Sequence, residues 1–142
     1  MSQVVIGIES TAHTAGVGII TSEGEILSNQ RAVYIPEEGG IHPREAADHH
    51  VNHTSSLISS LLDSGVDPAE VEAVAFSQGP GLGPCLRIGA SVARALSQQW
   101  NVPLVGVNDC VAHIEIGRQV CGVDDPVLLY VSGGNTQVIA RM

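Results

Sequence analysis

Three β-branched runs follow one another near the start of the chain, Val4–Glu9, residues 16–21 and Ile26–Val33, with only small, polar connections between them at residues 10–15 and 22–25. Tight connections of that kind predict an antiparallel three-stranded meander. The pattern then changes. Residues 34–41 carry Pro36, Gly39 and Gly40 and read as a loop, and Pro43 sits where a proline fits the first turn of a helix. Ala47, His50 or Val51, Thr54, Leu57 or Ile58, and Leu61 recur at the helical period, so this helix is expected to run to about Leu62. Asp67-Pro68-Ala69-Glu70 has the form of a cap, a first-turn proline and a capping-box glutamate, and predicts one helical turn before a strand at residues 73–77.

The glycine-rich segment Gln78-Gly79-Pro80-Gly81-Leu82-Gly83-Pro84 leads into a helix over about residues 85–100, expected to bury Leu86, Ala93, Leu96 and Trp100. A backbone cradle for an anion is one reading of the segment. Close helix packing is the other, because two prolines remove amide donors and the Gly-Lys-Ser/Thr ending of a P-loop is absent. A strand at residues 103–107 and a further helix complete the order βββαβαβα. That is a mixed-sheet α/β plan of the ribonuclease-H-like type, a meander extended by parallel strands with crossover helices.

Residues 127–131, the loop Ser132-Gly133-Gly134-Asn135 and residues 136–141 then repeat the motif of the first hairpin. The repeat predicts a division into a first unit at 1–126 and the first hairpin of a second, truncated copy at 127–142. Duplicated units of this plan are actin-like (ASKHA) folds, in which two facing hairpin loops hold the phosphates of a nucleotide. The loops here are residues 9–15 and 132–136. Ser132-Gly133-Gly134 offers close approach and successive amides, as an anion nest requires, although a plain hairpin turn accounts for the same residues.

The stretch Asn108-Asp109-Cys110-Val111-Ala112-His113-Ile114-Glu115 places Asp109 and His113 four residues apart on one face of a first helical turn. The pair suits a divalent metal and needs further ligands from elsewhere. For Asp109 the alternative is a cap on the helix amides. Cys110 points about 100° away around the helix and reads as core. His49 and His53 form another i, i+4 pair, with His42 and His50 nearby, and read as a packed or solvated helix face. Glu9 and Glu45 are the carboxylates nearest the predicted loops and are expected to orient them.

With 44% hydrophobic and 15% charged residues, 142 residues can form a domain with a real core. A formal charge of −9 argues against a stand-alone nucleic-acid binder, since phosphate contacts need clustered cations, so any nucleic acid would require a basic partner. Three cysteines without C-x-x-C spacing and no signal-peptide pattern at residues 1–3 predict a reducing cytoplasm, and no run approaches the ~20 apolar residues of a membrane span.

Gly7-Ile8-Glu9-Ser10-Thr11-Ala12-His13, Pro43-Arg44-Glu45-Ala46-Ala47-Asp48-His49-His50, Phe76-Ser77-Gln78-Gly79-Pro80-Gly81-Leu82-Gly83-Pro84, residues 107–118 and Tyr130-Val131-Ser132-Gly133-Gly134-Asn135-Thr136-Gln137 resemble the motifs of the universal tRNA threonylcarbamoyladenosine-forming family, formerly O-sialoglycoprotein endopeptidase. Pro43-Arg44-Glu45-Ala46 and His113-Ile114-Glu115-Ile116-Gly117 favour the archaeal and eukaryotic branch, whose member resembled here is the catalytic subunit of the KEOPS complex. The resemblance implies an actin-like enzyme that transfers threonylcarbamoyl from its adenylate to N6 of the adenosine beside the anticodon, in tRNAs reading codons that begin with A. It implies one iron or zinc per subunit beside the adenylate, tRNA as substrate within the complex, and KEOPS subunits that include a small protein kinase/ATPase as partners. It places metal contacts at Asp109, His113 and Tyr130, and adenylate contacts at Tyr130, Val131, Ser132, Gly133 and Gly134, with a further aspartate in the half this sequence lacks; the 142 residues alone are then expected to be inactive. His49 and His50 would shape the helix beside the cleft. Asp109 departs from the family, which has histidine there. A metallopeptidase reading is weakened by the absence of His-Glu-x-x-His, and a non-catalytic nucleotide- or partner-binding fragment is the third possibility.

Overall fold

The computed structural model describes residues 3–63, 65–132 and 136–140. Strands β1 (Val4–Glu9), β2 (Thr14–Thr21) and β3 (Ile26–Val33) form the expected antiparallel meander, with Ile6 opposite Ile19 and Val17 opposite Gln30. Helix α1 (Pro43–Leu62) has the predicted bounds and carries its proline in the first turn. A single 3-10 turn, Pro68–Glu70, is capped by the Asp67 carboxylate, which accepts from the Ala69 amide at 2.9 Å. Strand β4 (Val71–Gly79), helix α2 (Gly83–Trp100), strand β5 (Leu104–Asn108) and helix α3 (Asp109–Cys121) complete the unit. Strands β6 (Leu128–Val131) and β7 (Thr136–Ile139) pair antiparallel in a separate two-stranded sheet.

The main sheet has the order β3-β2-β1-β4-β5, with β4 parallel to both β1 and β5. This is the mixed ribonuclease-H-like arrangement read from the alternation of tight turns and crossover helices. Period-two alternation fixes which face is covered. Val4, Ile6 and Ile8 of β1 and Val17 and Ile19 of β2 point beneath α1 and α2, where they meet Leu61, Val71, Val74 and Ala93 in a buried core. The intervening residues Val5, Gly7, Glu9, Gly18 and Ile20 face the other side, where α3 begins to cover the sheet.

Helix α2 differs from expectation on its buried side. Ala93 is buried as expected, Leu86 is half-buried, and Leu96 and Trp100 are half-buried against the core, while the fully covered stripe is Cys85, Gly89, Ala93 and Ser97, spaced four residues apart. The small side chains bring the helix axis close to the sheet, and the larger ones fill the flanks of that contact. The helix starts at Gly83, two residues before the predicted position, and ends on Asn101 in the left-handed region at φ 55°.

Candidate functional site

Parallel alignment of β1, β4 and β5 brings Glu9, Gly79 and Asn108 to the same edge of the sheet. Ligand sites of open α/β sheets form at such carboxyl ends. A cavity of about 420 Å³ runs along the sheet from β3 to α3, with Glu9, Asp109 and His113 among its lining residues.

Helix α3 starts at this edge. Its cap is Asn108, not Asp109: the Asn108 side-chain oxygen accepts from the amides of Cys110 at 2.9 Å and Val111 at 3.3 Å. The capping alternative for Asp109 is therefore overturned, and its carboxylate is left for other contacts. Asn before the helical run was the sequence signal for this cap. The Asp109 side chain is 8% exposed against 52% for His113, and its Oδ2 lies 3.6 Å from His113 Nε2. From β6 the Tyr130 hydroxyl donates to the same Oδ2 at 3.2 Å, and its ring stands edge-on to His113 with centroids 5.3 Å apart. The three side chains named for the metal thus meet, although Tyr130 is 21 residues from Asp109.

Burial holds the Asp109 carboxyl above its usual pKa, and the nearby Glu9 charge adds to this; His113 and the Tyr130 hydroxyl act in the opposite direction. Burial and then the Asp109 charge raise the Tyr130 phenol. Sequence spacing gave no sign that Glu9 approaches Asp109, because the approach depends on sheet order.

The donor set fits a divalent metal in part. Two ligands about 2.1 Å from a tetrahedral ion stand about 3.4 Å apart, close to the Asp109–His113 separation. A buried carboxylate beside a second carboxylate also lacks compensation that a cation would provide. Among the described residues no group of three or more His, Cys, Asp or Glu side chains could hold a metal, so these residues account for only part of a coordination shell.

Of the adenylate-contact residues, Val131 and Ser132 are exposed. Gly133 and Gly134 lie outside the described residues.

The other expected loop positions are packed. Glu9 accepts from the Thr11 amide at 2.9 Å and from its hydroxyl, and Tyr34 donates to Glu45, so both carboxylates orient neighbouring segments. His50 is fully buried, with Nε2 2.8 Å from the Ala12 carbonyl; burial keeps its pKa below the usual value, so the neutral ring donates to that carbonyl. His49 Nε2 meets the Ala32 carbonyl at 3.0 Å, and His53 Nδ1 lies 2.8 Å from the His49 carbonyl. The histidine pair therefore ties α1 to the meander and to its own backbone. Cys110 is half-buried. In the glycine-rich segment, the Leu82 amide donates to the Thr11 carbonyl at 2.7 Å, which commits that donor to packing against the first loop.

The model of the family described as "TsaD: tRNA N6-adenosine threonylcarbamoyltransferase" matches residues 24–141. The chain is 55% identical over 137 residues to the tRNA N6-adenosine threonylcarbamoyltransferase of Ignicoccus hospitalis, and 54% over 144 residues to that of Methanopyrus kandleri. Each alignment covers 96% of this chain and 42% of the relative, so the chain spans about two fifths of the length of these curated relatives. Among solved structures, YeaZ from Pseudomonas aeruginosa superposes with a TM-score of 0.67 at 18% identity, over 98% of this chain and 65% of that one. RuvC of T. thermophilus, in complex with a Holliday junction substrate, gives a TM-score of 0.56 at 17% identity, over 85% and 78%. At these identities the likeness concerns the fold alone.

Proposed function

The chain belongs to the TsaD family of tRNA N6-adenosine threonylcarbamoyltransferases, and from that premise we propose that it forms the first lobe of an enzyme moving threonylcarbamoyl from its adenylate to the adenosine beside the anticodon. The observation that carries this reading is the convergence of Asp109 and His113 from α3 with Tyr130 from β6 at the carboxyl edge of the sheet.

In the reaction the N6 amine attacks the carbamoyl carbon, the bond to the phosphate oxygen breaks, AMP leaves and the amine gives up a proton. Asp109 and His113 would hold an iron or zinc ion, with Tyr130 beside them. Such an ion supplies Lewis-acid stabilisation of charge on the carbamoyl or phosphate oxygens. Asp109 at this position, where the family has histidine, keeps an anionic oxygen donor in place of a neutral nitrogen. The Tyr130 hydroxyl fixes the orientation of that carboxylate. Amides of residues 130–134 would face the adenylate and stabilise the leaving phosphate.

No nucleophilic side chain is needed. The Thr11 hydroxyl is engaged by Glu9, and the Ser10 hydroxyl is buried without a basic partner. Residues 1–126 would be the first actin-like subdomain, and the separate β6–β7 sheet the opening hairpin of a second at 127–142. The remaining metal ligand, an aspartate, would come from that second half. With a net charge of −9 this chain would need tRNA to be held by basic surfaces elsewhere; from the family resemblance, KEOPS partners, one of them a small kinase/ATPase, would supply them in the cytoplasm. No helix among the described residues is long and apolar enough to cross a membrane.

The full-length protein, incubated with its partner subunits, tRNA and threonylcarbamoyl-adenylate, supplied directly or made in place from ATP, threonine and bicarbonate by an added adenylate-forming enzyme, is expected to produce N6-threonylcarbamoyladenosine and AMP. Peptide cleavage without modified adenosine would support the peptidase reading, and nucleotide binding with neither product a binding module.

A further inference from the structure

Residues 10–13, which link β1 to β2, are held from every side. Glu9 accepts from the Thr11 amide and hydroxyl, the Thr11 carbonyl accepts from Leu82, the Ala12 carbonyl accepts from His50, and the His13 carbonyl accepts from the Tyr34 amide at 2.7 Å. Ser10 has a different support. Its hydroxyl is buried and has no hydrogen-bond partner among the described residues, and it sits over Gly89 in the middle of α2. A Cβ placed on Gly89 would stand 1.9 Å from Ser10 Oγ and 2.8 Å from Ser10 Cβ. The hydroxyl can rotate away, but Cβ cannot. Restoring even a 3.4 Å contact moves Ser10 by at least 0.6 Å, the difference between 3.4 and 2.8 Å. Gly81 makes a second close seat, where a Cβ would meet the Thr11 carbonyl oxygen at 2.6 Å and its Cα at 2.9 Å.

Burying an unpaired hydroxyl is costly, and a buried alanine at residue 10 would avoid that cost. A helix also gains nothing from an interior glycine. Neither residue is explained by the stability of its own element; together they bring the loop into contact with α2. The loop begins at Glu9, which lines the cavity with Asp109 and His113.

We propose that Gly89 and Ser10 are a positioning pair: the missing side chain of Gly89 is a socket for Ser10 that sets the distance between the loop at residues 10–13 and the Asp109–His113–Tyr130 cluster, and so the fit of an adenine nucleotide between them. This rests on the reading that the loop and cluster face an adenylate. Neither residue touches the reacting atoms. A displacement of the order of 1 Å in such a support is enough for about a ten- to hundredfold loss at a site.

The test is a double-mutant cycle in the full-length protein, with ATP affinity read by calorimetry. Gly89→Ala in the wild-type background is expected to weaken ATP binding at least about tenfold and to speed hydrogen exchange at the Leu82 amide. In the Ser10→Gly background, where the obstructing atoms are gone, the same substitution is expected to change affinity by less than about twofold and leave Leu82 exchange unaltered. Equal losses in both backgrounds, or none in either, overturn the pairing. Should Gly89→Ala alone fail to fold, recovery of folding and binding on adding Ser10→Gly supports the socket, and failure to recover overturns it. Wild-type protein that binds no ATP overturns the functional reading and this inference with it, whereas normal binding by Gly89→Ala overturns this inference alone.

Discussion

Asp109→Ala in the full-length protein is expected to lower bound iron or zinc well below the wild-type level and to reduce threonylcarbamoyl transfer at least about 100-fold, the upper end of the loss found when even an outer partner of a metal ligand is removed. The carboxylate is buried, receives the Tyr130 hydroxyl and stands 3.6 Å from His113 Nε2, while Glu9, the other carboxylate lining the cavity, is held by the Thr11 amide and hydroxyl. Asp109→His, which restores the family's residue, is expected to retain or raise metal content. Elemental analysis of the purified variants checks both. Unchanged metal in Asp109→Ala would remove Asp109 from the coordination shell and leave it as a partner of Tyr130. A general loss of fold is distinguishable, because the cap of α3 belongs to Asn108 and survives the substitution.

The second large effect concerns the support beneath the site. Leu61→Ala is expected to destabilise the protein by about 2–5 kcal/mol, through lost transfer free energy and the cavity left behind. Leu61 is fully buried at the end of α1 and belongs to the cluster of Val4, Ile6, Val17, Ile19 and Val71, which joins the helix to three strands. Such a loss is a large fraction of the ~5–15 kcal/mol that holds a typical domain together. Urea denaturation measures it. A change below about 1 kcal/mol would mean that the strands collapse around the missing atoms, or that this cluster is not the anchor of α1. Because His50 on the same helix holds the Ala12 carbonyl, a partly unfolded α1 should release the first loop before β4 and β5 separate.

Much of the fold is legible in the sequence because its signals are local. Val4–Glu9, Ile26–Val33 and Pro43–Leu62 follow from turn residues, alternation and a first-turn proline, and the structure has the same bounds. Helix α2 shows where hydrophobicity misleads. Large apolar residues mark the flanks, while close approach to the sheet selects Cys85, Gly89, Ala93 and Ser97, a stripe visible only as small residues four apart.

The site divides in the same way. Asp109 and His113 are read from helical spacing, but Tyr130 lies on another element and is reached only by family resemblance. The electrostatic link between Glu9 and Asp109 spans a hundred positions and exists only because β4 lies between β1 and β5. Asn108 and the acidic residue beside it are equally good caps by type, and only the hydrogen bonds distinguish the two. Ser10 over Gly89 has no sequence signature, since a glycine inside a helix says only that a side chain is absent.

Anomalous scattering from a crystal of the full-length protein, recorded at the iron and zinc absorption edges with ATP bound, tests the central claim most directly. The account predicts a peak about 2.0–2.2 Å from a carboxylate oxygen of Asp109 and from Nε2 of His113, with the Tyr130 hydroxyl beside it and the nucleotide phosphates facing residues 10–13. A metal bound elsewhere, with Asp109 engaged only by Tyr130, would contradict it.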